Sequence, residues 1–111
     1  MTADQLRARL GTDEHRFADT LAFIAEHYHY QPSAFTNGPV HNDAEQNQGS
    51  CKVLAMAKDQ QLSDQQALQC FAEHYQAVLN TPDGEDHANI RALMLHGQAG
   101  VSFATFPLTR R

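Results

Sequence analysis

Cys51 and Lys52 stand side by side where a polar turn runs into an apolar segment, Asn47-Gln-Gly-Ser-Cys-Lys-Val-Leu-Ala-Met-Ala-Lys58. Ser50 is of the residue types that cap helices. The spacing therefore predicts that both residues fall in a helix's first turn, where free N–H groups and the positive end of the dipole lie. A thiol so placed has its thiolate favoured, and the thiolate is a nucleophile. His41 in the preceding loop and His87 further along are the candidate bases, with Asp86 or Asn89 to orient an imidazole. The competing expectation, and the preferred one, is a packed thiol: free cysteine is among the most buried residue types, and almost everything after Cys51 in this segment is apolar.

A second chemistry needs no reaction. Asn42, Asn47, Ser50, Lys52, Asp86, Asn89 and Arg91 cluster before and within two expected helix starts. There Arg91 and the free amides would hold a carboxylate or phosphate, while Asn42, Asn47, Asp86 and Asn89 set its orientation. The alternative for Arg91 is an internal pair with Asp83 or Asp86, tying the Pro82-Asp-Gly turn to its helix. Metal chemistry fares worse. His41, His87, Asp83 and Glu45 have suitable donors but no recognised spacing, and Cys70 and His74, one turn apart, lack further ligands. No metal and no cofactor are expected.

The elements that must position these residues are read from periodicity. Thr2 and Gln5 form a capping box for a helix ending before Gly11. From Asp13, the residues Phe17, Leu21, Ile24 and Tyr28 recur at helical spacing until Pro32 stops the helix. His27 and His29, two apart, point to different sides and make a poor chelate. The stretch from Gln31 to Gly49 has no helical period and is expected to be an ordered loop, anchored by Phe35 and turning at Asn37-Gly38. The central helix, Ser50 to Asp59, is apolar on nearly every side and so is expected to be enclosed by others. Ser63 and Gln66 cap another helix, carrying Ala67, Leu68, Cys70, Phe71, Tyr75, Val78 and Leu79. Thr81-Pro-Asp-Gly84 is a turn, and Asp86 is expected to cap a helix that buries Ile90 and Leu93 and ends at Gly97. Val101 to Thr105 alternates weakly and is expected to be a short strand or arm, placed against the segments flanking Asn37-Gly38; the terminal arginines are expected to fray. The expected fold is mainly α: one domain over residues 1–111, an irregular bundle of about five helices around the Ser50 to Asp59 helix, with at most a short β ribbon near the C-terminus.

Composition bounds the function. The chain carries a formal charge of −5 and its basic residues are scattered, so no stripe exists for a nucleic-acid backbone. No apolar run approaches the roughly 18 to 20 residues of a membrane span. Cys51 and Cys70 lack C-x-x-C spacing, as in a reducing compartment. A cytoplasmic monomer is expected.

Four blocks, in order, carry a family resemblance: Phe35-Thr-Asn-Gly38, Asn47-Gln-Gly-Ser-Cys-Lys52, Cys70-Phe71 and Pro82-Asp-Gly-Glu-Asp-His-Ala-Asn-Ile-Arg91. From Phe17 to Leu108 the chain resembles the HopJ type III effector protein family. The resemblance implies a small bacterial protein with no established reaction, and it adds delivery into a host cell by a type III system as the alternative to a cytoplasmic setting. Two departures stand out. Gln98 lies between Gly97 and Gly100 where many relatives have a tryptophan, and Glu45-Gln46 replaces an expected Gly-Glu pair. The leading expectation is a module binding an unknown small ligand or protein partner, in a polar pocket formed by the loop before Cys51 and the start of the Asp86 helix. A thiol-dependent enzyme using Cys51, and a secreted effector acting on a host target, are the rivals.

Overall fold

The Asn37-Gly38 turn closes a β-hairpin. In the computed structural model, which describes residues 1–111, Gly38 takes φ 55°. A tight two-residue hairpin turn needs a positive φ at its first central position, which glycine adopts without steric cost, and Pro39 follows with its fixed negative φ. The hairpin joins β2 (Phe35–Asn37) to β3 (Val40–Asn42), and β4 (Val101–Phe103) pairs antiparallel on the other side of β2. A second antiparallel pair joins β1 (Tyr28–Tyr30) to β5 (Leu108–Arg110), with Tyr28 opposite Arg110. Around these sheets lie α1 (Ala3–Arg9), α2 (Phe17–His27), α3 (Gln48–Asp59), α4 (Asp64–Gln69), α5 (Glu73–Asn80) and α6 (Ala88–His96).

The expectation of a mainly α bundle of about five helices is thus overturned. Six helices and five strands in two antiparallel sheets make a mixed α/β fold. Each strand is only three residues long, too short for a period of two to show in sequence, and all but β3, which pairs with β2 across the adjacent turn, are held by a partner brought in by the tertiary fold. The arm at Val101 does pair beside Asn37-Gly38, as expected. The terminal arginines do not fray: Arg110 lies in β5.

Helix boundaries moved for local reasons. α2 starts at Phe17 rather than Asp13, and it hands over to β1 at Tyr28 without a loop. The long helix expected from Ser63 is two helices, broken where Ala72 takes φ 49°, ψ −117°. The capping boxes at Thr2 and Ser63 form as expected.

Central α3 is enclosed. Val53, Leu54, Ala55, Met56 and Ala57 are all fully buried, together with Cys51, in one core with Phe23 and Ile24 of α2, Leu68 of α4, Ile90 and Leu93 of α6, and Leu108 of β5. Burial of side chains such as Leu54 or Met56 stabilises by about 1.5–3 kcal/mol each. This core holds the start of α3 in place.

Candidate functional site

α3 and α6 begin in the same unusual way. Asn47 precedes α3 at φ 50°, ψ 46°, and His87 precedes α6 at φ 52°, ψ 50°. Asn and His tolerate this left-handed region better than most residues. The expected caps are therefore displaced: Ser50 lies inside the first turn of α3, and Asp86 lies outside α6. In neither helix does a side chain cap the first turn. The first backbone bonds are Cys51 N–H to Asn47 O at 3.0 Å, and Ile90 and Arg91 N–H to His87 O at 3.0 and 3.1 Å. The amides of Gln48, Gly49, Ser50, Ala88 and Asn89 consequently have no acceptor within the protein, and such groups attract anions.

These two starts open on one cavity of about 320 Å³, lined by Asn47, Gly49 and Ser50 from α3, by His87, Ala88, Asn89 and Ile90 from α6, and by Phe17, Phe71 and His74. The two imidazoles face each other, with ring centroids 5.3 Å apart, and the Phe17 ring meets His74 edge-on at 4.8 Å. The wall behind is tied together by Glu73, whose carboxylate accepts from Phe17 N–H at 2.6 Å and lies 3.4 Å from Arg16.

A buried ladder of side-chain amides fixes the α6 start against the hairpin. Asn37 Nδ2 donates to Asn89 O at 2.8 Å and to Asn89 Oδ1 at 3.2 Å. Asn42 and Asn89 exchange bonds, Asn89 Nδ2 to Asn42 Oδ1 at 3.0 Å and Asn42 Nδ2 to Asn89 Oδ1 at 3.3 Å. Asn47 Nδ2 then donates to Asn42 Oδ1 at 2.7 Å, which links the ladder to α3. Asn37, Asn42 and Asn89 are all buried, so these bonds carry the polar groups that burial would otherwise penalise. Asn37 Oδ1 alone has no partner.

The remaining expected residues stand elsewhere. Arg91 is internally paired, its guanidinium bonding Asp86 Oδ1 at 2.7 Å, Asp86 O at 2.6 Å and Thr81 O at 2.9 Å. The Arg91 bond holds the Asp86 carboxyl below its ordinary pKa. Lys52 stacks over the Tyr30 ring, Nζ 4.7 Å from its centroid, instead of facing the cavity. His41 is exposed, Nε2 3.2 Å from Asp43 Oδ1. Cys51 is buried with Sγ 3.7 Å from Ser33 O, and neither histidine bonds it. Burial pushes the Cys51 thiol up, only partly opposed by the Ser33 backbone, Tyr30 and Lys52. Both cysteines are free, and no group of three or more His, Cys, Asp or Glu side chains is placed to hold a metal.

Of the expected set, then, Asn47, Ser50, His87 and Asn89 share the cavity, with Asn42 behind it; Cys51, His41, Lys52, Asp86 and Arg91 do not line it. Phe17, Phe71 and His74 were missed. Their signal was faint: Phe71 and His74, three apart, looked like one helix face, whereas the break at Ala72 between them turns both toward α6.

No helix is long and apolar enough to cross a membrane. No curated protein matches the chain. The crystal structure of the unknown-function protein VPA0580 is similar throughout, with 38% identity over 100% of this chain and 95% of that one, at a TM-score of 0.93. The family model described as HopJ type III effector protein matches residues 3–108, nearly the whole chain and all four sequence blocks. The chain belongs to the HopJ type III effector protein family.

Proposed function

We propose that this chain is a binding module, and that the cavity between the starts of α3 and α6 receives a small anionic group, a carboxylate or phosphate. The observation that carries this reading is the convergence of two uncapped helix starts and two facing imidazoles on one cavity. Each helix start contributes free N–H donors and the positive end of a dipole. Phe17, Phe71 and Ile90 supply an apolar wall, and the amide ladder keeps the donors rigid, so little ordering is left for binding to offset. The family description, a type III effector, supports delivery into a host cell as the setting, ahead of the cytoplasm expected from the thiols. Burial outweighs the groups that favour the Cys51 thiolate and no imidazole bonds its sulfur, which counts against nucleophilic chemistry there.

The test is an NMR titration with inorganic phosphate and, separately, with malonate, at low ionic strength. Saturable shifts are expected at the amides of Gly49, Ser50, Ala88 and Asn89. His87→Gly removes an imidazole while suiting the left-handed backbone, and it should weaken binding by about tenfold with the fold retained. Shifts that spread over the surface, or that sodium chloride reproduces equally, would sink the proposal.

A further inference from the structure

α5 and α6 leave an apolar groove open on the molecule's outside. Val78, Leu79, Pro82, Met94 and Leu95 line it, with the Arg91 stem at its end, and its volume is about 290 Å³. Leu95 is 81% exposed, and Leu79 and Met94 are 43% and 44% exposed, so three large apolar side chains share one contiguous patch. Scattered single exposed leucines are ordinary; a clustered, grooved patch marks an interaction surface.

What surrounds the groove narrows its occupant. Its end is walled by the Thr81 to Asp86 turn, which Arg91 locks from beneath through its bonds to Thr81 and Asp86. Gly84 lies so close over that guanidinium that an added Cβ would sit 2.7 Å from Nη2. Arg91 is thereby spent on Thr81 and Asp86, whereas Asp83 and Glu85, both exposed, have no ion-pair partner. Exposed, unpaired carboxylates thus stand in the turn that closes the end of the apolar trough at Pro82. A small ligand lying in it would leave Leu95 largely in water. A second copy docking by the same face would offer Asp83 and Glu85 no free cation, because the Arg91 of that face is already paired with Asp86. An anionic membrane surface would be repelled.

We infer that this groove docks an amphipathic helix of another protein, apolar on one face and carrying Lys or Arg in the terminal turn that meets Asp83 and Glu85. This is the helix-in-groove mode, with apolar anchors at helical spacing and charge setting direction. The site is separate from the anion cavity and does not depend on it.

The test uses a fluorescein-labelled synthetic helical peptide of roughly 16 residues, with leucines at helical spacing and lysines in one terminal turn. Its companions are a peptide with glutamates in place of the lysines and a scrambled peptide of the same composition. Anisotropy is read against the full chain at low and high salt. The lysine peptide should bind about tenfold tighter than either companion and weaken with salt. The Met94→Ser, Leu95→Ser double variant should lose that binding with an unchanged thermal melt, because both side chains are exposed. Asp83→Asn with Glu85→Gln should remove most of the salt dependence. Equal binding of the scrambled or glutamate peptide, or indifference to the Met94 and Leu95 changes, would overturn the inference. Self-association abolished by Leu95→Ser would assign the groove to a second copy instead.

Discussion

Burial sets the chemistry of individual side chains here. Cys70 is fully buried and its thiol is pushed up to about 12 by that burial alone, while burial also raises Cys51. Both thiols should therefore resist iodoacetamide in the native chain at neutral pH and react together once urea unfolds it, as intact mass would report. Selective native labelling of Cys51 would revive the thiol-enzyme reading. His15 offers a second case. Its Nε2 lies 2.7 Å from Thr20 Oγ1, and that hydroxyl donates to Cys70 O at 2.8 Å, so the imidazole nitrogen must be the donor. Nδ1 then carries a lone pair with no partner, and burial lowers the pKa, only partly opposed by Asp19. The unfolded chain binds its proton near the ordinary histidine value, about 6.5. His15's contribution to stability is thus fully present above about pH 6.5 and is lost as the pH falls from there through the lower folded value. Urea midpoints measured across this window should fall with pH in the native protein and fall less in His15→Gln; parallel slopes would contradict the assignment.

At the scale of elements, the amide ladder is the joint between the hairpin and α6. Asn89→Ala and Asn42→Ala each strand buried partners and should each cost about 1–3 kcal/mol in urea denaturation. Because the two side chains exchange bonds with each other, the double variant should cost clearly less than the sum. Strict additivity would mean that they do not act as a unit. The turn before α6 has a different anchor. Arg91→Ala should lower Tm by roughly 5 °C, and Arg91→Lys should not restore it, since one ammonium cannot reproduce the forked bonds to Thr81 and Asp86.

Across the whole molecule, closure depends on the C-terminal strand reaching β1 and the end of α3. Tyr28 OH donates to Asp59 Oδ2 at 2.5 Å, Gln60 Nε2 donates to Tyr28 OH at 2.6 Å, and Arg110 Nε donates to the same carboxylate oxygen at 2.8 Å. Burial works to raise the Asp59 carboxyl, yet Tyr28 and Arg110 hold it below its ordinary value. β1, the end of α3 and β5 meet at this point. Leu108, 6% exposed, packs into the core from β5, so Leu108→Ala should destabilise the whole chain by about 2–3 kcal/mol. Arg110→Ala should cost much less, because its side chain is 67% exposed. A Leu108→Ala melt indistinguishable from that of the parent would show that β5 is dispensable.

By itself, the sequence determined what depends on near neighbours. The capping boxes at Thr2 and Ser63, the Asn37-Gly38 turn and the enclosed α3 all follow from residues a few positions apart, or from a continuous apolar run, whereas Arg91 stood between an anion and an internal pair until the fold placed it on Asp86 and Thr81. The polar clusters at Asn47 to Ser50 and His87 to Asn89 were legible as helix starts, though their caps were displaced because a left-handed residue before a helix leaves no periodic trace. Only the tertiary structure decided the rest. Three-residue strands have too little local preference to declare themselves and exist because Tyr28 finds Arg110 and Phe35 finds Phe103. The same long-range packing turned Lys52 onto Tyr30 and enclosed Cys51, and it brought His74 and Phe17 to a cavity that their spacing did not announce.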